Sequence, residues 1–146
     1  MPKILIADDK NENRFVLKNF FKLFGNDYTI EIIEAGSAKE SIELIEAHKP
    51  VLVLMDIKME SEFAGFDVVK HIRERSEYSS IIIWAITAHA LEAHDSEASD
   101  QEKCLNAGFD DFISKPFDPV NLLLKTSKLL NMAIPENVKK KIGLIS

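Results

Sequence analysis

Two short, uninterrupted apolar runs constrain the fold of this chain more than any other feature of its sequence. They are Val-Leu-Val-Leu-Met at 51–55 and Ile-Ile-Ile-Trp-Ala-Ile at 81–86. A strand that is apolar at every position cannot face water on either side, and this is typical of a central strand in a parallel sheet. The two runs therefore predict two interior strands of such a sheet.

Short strand-like runs alternate with longer amphipathic stretches along the rest of the chain. Three further strands are predicted at 4–7, 28–34 and 111–113. Helices are predicted at 11–24, 37–48, 67–74 and 118–132, with another in the polar stretch that ends at Gly108. Ser37 and Glu40 match a capping box at the start of the second helix. Five alternating strand–helix units indicate an α/β fold whose parallel sheet is covered on both faces.

Length, charge and cysteine content exclude several classes of protein. The 146 residues suit one domain. A formal net charge of −6 argues against general binding to a nucleic-acid backbone, which needs clustered Lys and Arg. The single cysteine, Cys104, excludes an internal disulfide and a Cys-rich zinc site. No apolar run approaches a membrane span, and residues 1–5 lead straight into a strand without the apolar region of a signal peptide. We therefore expect a cytoplasmic protein without nucleic-acid or membrane partners.

Polar side chains follow four of the five predicted strands. Asp8 and Asp9 follow the first strand, Asp56 the third, Thr87 the fourth and Lys115 the fifth. Ligands of open parallel sheets bind outside the carboxyl ends of the strands. Each residue alone could be a helix cap, a turn residue or a solvated end, but their coincidence favours a functional site.

These residue types suit one kind of chemistry. Three neighbouring carboxylates repel one another, and their pKa values rise unless a cation neutralises them. Oxygen ligands with room for water are typical of Mg²⁺ rather than zinc. A carboxylate beside Mg²⁺ can attack a phosphoryl group, while a lysine and a hydroxyl stabilise the phosphoryl oxygens. The residues therefore predict Mg²⁺-dependent formation of an aspartyl phosphate.

Four segments carry a resemblance to a known family. They are Ile-Leu-Ile-Ala-Asp-Asp at 4–9, Val-Leu-Met-Asp-Ile-Lys-Met at 53–59, Ala-Ile-Thr-Ala at 85–88 and Gly-Phe-Asp-Asp-Phe-Ile-Ser-Lys-Pro-Phe at 108–117. By these segments the chain resembles the receiver domains of two-component signalling, known as response regulators. The resemblance implies a flavodoxin-like (βα)5 doubly wound parallel sheet with strand order 2-1-3-4-5. It implies a receiver domain over 1–132, followed by a short C-terminal tail or linker stub at 133–146.

The resemblance assigns a phosphoacceptor and a metal site. It makes Asp56 the phosphoacceptor and Asp9 a direct ligand of Mg²⁺. Asp8 would bind the ion mainly through water, and the main-chain carbonyl of Lys58 would be a further ligand.

The resemblance also assigns a switch. Thr87 would be the switch hydroxyl and Lys115 the partner of the phosphoryl group. Phe112 stands where the family has its aromatic switch residue, although an ordinary core aromatic is the alternative. Pro116 stands where the family tends to have a cis peptide bond.

The partners implied are a sensor histidine kinase or phosphotransfer protein as donor and a downstream protein as target. The chain would be a signalling phosphoacceptor, catalysing only its own phosphorylation and dephosphorylation. It would carry no DNA-binding output domain, and a homodimer through the fourth and fifth helices is a further option. Both a stand-alone regulator, which the Met1 start favours, and a fragment of a hybrid kinase stay open.

Two other classes fit the sequence less well. A phosphatase of the haloacid dehalogenase kind also uses an Asp nucleophile and Mg²⁺, but it needs a second Asp at position 58, where Lys stands. A nucleotide- or flavin-binding module needs a Gly-rich or hydroxyl-rich loop after the first strand. Asp8 and Asp9 stand there and would repel a phosphate without a metal.

The sequence departs from the family pattern at two places. Glu60 replaces the usual Pro, and the loop has one extra residue before Gly65, which predicts a looser loop in which Glu60 or Glu62 alters metal affinity or partner contacts. The segment 92–102 is longer and more acidic than usual, as either a solvated stretch or a modified signalling face. Lys58 and His89 occupy positions that commonly tune autodephosphorylation.

Overall fold

The computed structural model describes residues 2–24, 30–61, 63–87, 100–115, 118–141 and 143. The five strands are β1 (Lys3–Ala7), β2 (Glu31–Ala35), β3 (Leu52–Asp56), β4 (Ile82–Thr87) and β5 (Asp111–Ser114). The helices are α1 (Asn11–Phe21), α2 (Ala38–His48), α3 (Ala64–Arg73), α4 (Asp100–Ala107), α5 (Pro119–Leu130) and α6 (Glu136–Lys141). None of the helices in these ranges combines the length and the apolar character that crossing a membrane requires.

All five strands pair in parallel, in the order β2-β1-β3-β4-β5. This confirms the flavodoxin-like order expected from the resemblance. The order places β1 beside β3 and β3 beside β4, so the carboxyl ends of these strands lie next to one another. The site residues that follow them are thereby brought to one edge of the sheet.

The apolar runs form the interior strands because each of their faces meets a different core. Val53, Met55, Ile83 and Ala85 belong to one core cluster, which also contains residues of α2 and α3. The alternate residues of the same strands, Leu52, Leu54, Trp84 and Ile86, belong to a second cluster with α1 and α5. Every residue of β3 is buried, which explains why the run contains no polar position before Asp56.

The helix caps follow the sequence signals closely. Ser37 Oγ accepts a hydrogen bond from the N–H of Glu40 at 3.2 Å, as the capping box predicts. Asp118 Oδ1 likewise accepts from the N–H of Val120 at 3.0 Å at the start of α5.

Several element bounds differ from the predicted ones. The first helix ends at Phe21 rather than at residue 24, because the chain tightens into a 3₁₀ turn over Lys22–Phe24. The 3₁₀ turn directs Phe24 into the core, where the residue is 1% exposed. The third helix runs over Ala64–Arg73, around the predicted helical core at 67–74, and the second strand ends at Ala35, one residue beyond its predicted end. The predicted stop at 25–27 lies outside the described residues.

The segment after α5 packs against the domain. Asn131 ends α5 in a left-handed conformation with φ of 53°. The chain then returns Met132, Ile134 and Val138 to the second core cluster. The predicted boundary at 132 stays a prediction, but the segment that follows it contributes apolar side chains to the core.

Candidate functional site

The carboxyl ends of β1, β3 and β5 bring three charged side chains together. Asp8 follows β1, Asp56 is the last residue of β3, and Lys115 follows β5. The ammonium nitrogen of Lys115 lies 3.3 Å from Asp8 Oδ2 and 3.2 Å from Asp56 Oδ2. One cation thus pairs with two carboxylates that are almost fully buried, at 1% and 6% exposure.

Asp9 completes an acidic cluster with these two carboxylates. One carboxylate oxygen from each of Asp8, Asp9 and Asp56 lies within 4.8 Å of the others. Asp8 and Asp56 are buried, whereas Asp9 is exposed. An all-oxygen donor set that opens to solvent on one side fits a hard divalent cation that keeps part of its water shell. The residues present therefore fit Mg²⁺.

The Asp8 side chain accepts hydrogen bonds from residues at the start of α1 and just before it. Its Oδ1 accepts from the N–H of Lys10 at 2.9 Å, and its Oδ2 accepts from Asn13 Nδ2 at 3.1 Å. The guanidinium of Arg14 donates to the main-chain carbonyl of Asp8. The first two contacts hold the carboxylate, and the third holds the main chain beside it.

Asp56 is held less closely by polar groups. Its Oδ1 accepts from the N–H of Lys58 at 3.3 Å. Burial raises the pKa of Asp56 to about 6; the Lys115 ammonium opposes this rise and the Asp8 carboxylate adds to it. A buried carboxylate that is costly to keep charged gains from a new cationic or covalent partner.

α3 packs directly on the main chain at Asp56. The N–H of Gly65 donates to the carbonyl of Ile57 at 2.9 Å. A Cβ at position 65 would lie 2.7 Å from the carbonyl oxygen of Asp56 and 2.7 Å from Ile57 Cα. The close approach of α3 to the end of β3 therefore requires glycine at this position.

Thr87 and Lys115 are joined through their main chains. Thr87 is the buried last residue of β4, and its carbonyl accepts from the N–H of Lys115 at 2.9 Å. Phe112 of β5 pairs with Ala85 of β4, and its side chain is half-buried against the first core cluster. The structure thus brings Thr87 to the same edge as Lys115, while the switch roles of Thr87 and Phe112 stay predictions.

Glu60 makes a contact that the sequence analysis missed. Its carboxylate accepts hydrogen bonds from the N–H of Ala38, at 2.9 Å to Oε2 and 3.2 Å to Oε1. Glu60 is thus tied to the start of α2, and the expectation of a looser loop stays a prediction. An acidic residue is a favourable partner for a helix N-terminus, but the sequence does not show which of the helix starts it meets.

Several predicted features lie outside the described residues. These are Pro116 with its peptide bond, His89, Glu62 and the part of the acidic segment at 92–99.

Solved structures share the fold of this chain. The receiver domain of sensor histidine kinase PA1611 from Pseudomonas aeruginosa matches with a TM-score of 0.72 and 23% sequence identity. The match covers 89% of this chain and 98% of that receiver domain, which was solved with a magnesium ion coordinated in its active-site cleft. At this level of identity the comparison concerns the fold.

The sequence comparisons identify the family. Residues 4–127 match the sequence model of the response regulator receiver domain. An uncharacterized 14.6 kDa protein of Leptolyngbya boryana is 32% identical over 82% of this chain and 83% of its own length. The polar-differentiation response regulator DivK of Brucella anthropi is 30% identical over 80% of this chain and 86% of its own length. The chain belongs to the response regulator receiver domain family.

The relatives differ in how much of their length this chain spans. This chain spans 48% of a probable transcriptional regulator of Porphyridium aerugineum, 53% of the response regulator MprA of Mycolicibacterium vanbaalenii and 13% of histidine kinase 3 of Arabidopsis thaliana. The receiver domain therefore occurs in this family both nearly alone and as part of longer proteins.

Proposed function

We propose that this chain is a receiver that accepts a phosphoryl group on Asp56 in a Mg²⁺-dependent reaction. The observation that carries the proposal is the position of the Asp56 carboxylate. It is almost fully buried, lies 3.2 Å from the Lys115 ammonium, and belongs to a cluster of three carboxylates at the edge of the sheet. The proposed donor is a phosphohistidine on a sensor histidine kinase or phosphotransfer protein.

Asp8, Asp9, Asp56 and the main-chain carbonyl of Lys58 would hold the Mg²⁺. When bound, the ion would supply positive charge beside the acidic cluster and the incoming phosphoryl oxygens. The magnesium ion in the PA1611 receiver supports this assignment because that domain has the same fold. The three carboxylates are the part of this ligand set whose mutual distances the structure defines.

The proposed transfer requires a nucleophile and a partner for the charge on the phosphoryl group. An oxygen of ionised Asp56 attacks the phosphorus atom, an O–P bond forms, and the P–N bond to the donor imidazole breaks. The bonding electron pair stays on the imidazole nitrogen, which takes up a proton. Lys115 exchanges its contact with the Asp56 carboxylate for one with a phosphoryl oxygen.

The proposed output is a change in protein contacts. The Thr87 hydroxyl would move toward the phosphoryl group, and Phe112 would turn inward into the space this opens. Such a step shifts the population between two packings of the surface formed by α4, β5 and α5. A downstream protein, or a second copy of the chain, would recognise that surface inside the cytoplasm.

Intact-mass spectrometry tests the proposal. The protein is incubated with acetyl phosphate and Mg²⁺ beside Asp56→Asn, with Asp67→Asn as the control because Asp67 is an exposed aspartate in the first turn of α3. We expect one phosphoryl adduct on the wild type and the control, no adduct on Asp56→Asn, and none in excess chelator. An adduct that persists on Asp56→Asn would place the acceptor elsewhere.

A wild type that forms no adduct and no beryllofluoride complex would overturn the phosphoacceptor function. The chain would then be better described as an interaction domain that works without phosphorylation.

A further inference from the structure

The loop between β3 and α3 is anchored at Glu60 to a distant part of the chain. The Glu60 carboxylate accepts both of its hydrogen bonds from the main-chain N–H of Ala38, 22 residues earlier. Ala38 is the first residue of α2, where main-chain N–H groups have no partner within the helix. A carboxylate at this position satisfies one such donor and interacts favourably with the helix dipole. The contact therefore joins the β3–α3 loop to a rigid element.

Lys58 lies between this anchor and Asp56. Its main-chain N–H donates to Asp56 Oδ1 at 3.3 Å, and the N–H of Met59 donates to the carbonyl of Ser61 at 3.2 Å. The Met59 side chain is buried in the first core cluster. The main chain from 58 to 61 is thus restrained by Asp56 on one side and by the Glu60–Ala38 contact on the other.

Glu60 does not belong to the acidic cluster itself. Among the described residues that could hold a metal ion, the cluster consists of Asp8, Asp9 and Asp56. Since the Glu60 carboxylate is turned to Ala38, any effect on the metal must pass through the main chain of the loop.

We infer that Glu60 is a positioning residue, which holds the main chain of Lys58 in the orientation that binds the cation. This inference rests on the proposed function, since it concerns the same metal site. The receivers that the chain resembles usually have Pro at this position, whose ring fixes φ. Here a side-chain hydrogen bond to α2 provides the restraint instead.

The test compares Glu60→Ala, Glu60→Gln and Glu43→Ala in the full chain. Glu60→Gln keeps an oxygen acceptor for the Ala38 N–H, and Glu43→Ala removes the same charge from an exposed position on α2. Mg²⁺ affinity is measured by isothermal titration calorimetry, which does not depend on phosphorylation. The Mg²⁺ concentration that gives half the maximal rate of phosphorylation by acetyl phosphate is measured in parallel.

We expect Glu60→Ala to raise the Mg²⁺ dissociation constant about three- to tenfold, the effect typical of one lost hydrogen bond. The half-saturating Mg²⁺ concentration should rise by a similar factor, while the rate at saturating Mg²⁺ stays close to that of the wild type. Glu60→Gln should restore most of the affinity, and Glu43→Ala should match the wild type.

Two results would overturn the inference. One is a Glu60→Ala variant that melts at a lower temperature but binds Mg²⁺ as tightly as the wild type, which would make the contact purely structural. The other is a Glu60→Gln variant that binds Mg²⁺ as weakly as Glu60→Ala, which would make charge rather than the hydrogen bond responsible.

A wild type that binds Mg²⁺ but is not phosphorylated would overturn the proposed function, and calorimetry would still decide the role of Glu60.

Discussion

Asp8 and Asp56 are buried carboxylates at the ends of neighbouring strands and share one cation, but their surroundings differ. Asp8 accepts hydrogen bonds from the Lys10 N–H and the Asn13 side chain besides its contact with Lys115. Asp56 accepts one longer main-chain bond, from Lys58, besides its contact with Lys115. At the end of β1 the polar contacts hold the carboxylate, whereas at the end of β3 the packing of α3 holds the main chain.

The difference leaves the charge on Asp56 less well compensated than the charge on Asp8. Hydrogen bonds to a charged group lower the cost of keeping it charged, and Asp8 has more of them. Asp56 bears the cost of burial with less compensation, and its pKa rises to about 6. A charged group in that state is destabilising at neutral pH.

The largest expected effect comes from neutralising the two carboxylates separately. The rise in the pKa of Asp56 from 3.8 to about 6 corresponds to about 3 kcal/mol, at about 1.4 kcal/mol per unit. We expect Asp56→Asn to stabilise the protein by up to about 3 kcal/mol at pH 7.5 in chelator. Asp8→Asn should instead destabilise it by about 1–3 kcal/mol, because an amide offers its donors fewer acceptors. Urea denaturation of both variants measures the two changes in the free energy of unfolding. Changes of the same sign would contradict the difference between the two carboxylates.

The same comparison has a defined pH dependence. Because the pKa of Asp56 is higher in the folded chain, that chain binds more protons between about pH 4 and pH 6. This contribution to stability therefore falls as the pH rises through that window, and the penalty is complete above it. We expect the gain from Asp56→Asn to shrink to less than about 1 kcal/mol at pH 4. A gain that stays constant from pH 4 to pH 8 would contradict the burial of a charged Asp56.

Removing the shared cation should affect both carboxylates. We expect Lys115→Ala to cost about 2 kcal/mol at pH 7.5 in chelator, below the usual cost of breaking a buried pair because 30% of the Lys115 side chain reaches solvent. The loss should shrink when Asp56→Asn is also present, since less buried negative charge remains. A double-mutant cycle by urea denaturation measures this coupling, and strictly additive effects would show that Lys115 does not stabilise Asp56.

The close packing of α3 on β3 gives a smaller effect. The Cβ of Gly65→Ala would meet the main chain of Asp56 and Ile57, which cannot move aside as a flexible side chain can. We expect a loss of about 1–2 kcal/mol, despite the usual preference of helices for Ala over Gly. Gly36→Ala is the matched control, because its new Cβ would meet its nearest neighbour at an ordinary 3.5 Å. Thermal denaturation compares the two, and equal melting temperatures would contradict the close contact.

The strands, and the sheet edge at which polar residues follow them, could be predicted from local pattern, whereas the strand order came from the resemblance to the family. A strand buried on both faces must be apolar throughout, and the polar residue that ends each run must then lie at the sheet edge. The contacts of Glu60 with Ala38, and of Lys115 with two carboxylates at once, depend on distances between remote parts of the chain. The burial of Ile134 and Val138 was likewise unpredictable, because two apolar residues in a polar tail show no period.

The smallest effect tests what makes Asp8 different. Asn13→Ala removes the hydrogen bond to Asp8 Oδ2 and leaves the Lys10 and Lys115 contacts in place. We expect a loss of about 1 kcal/mol in urea denaturation at pH 7.5, the usual cost of one hydrogen bond to a part-buried group. Asn19→Ala, further along α1, is the control for a change of helix propensity. If Asn13→Ala cost no more than Asn19→Ala, the Asn13 contact would not be what secures Asp8, and the main-chain contact from Lys10 would have to account for its difference from Asp56.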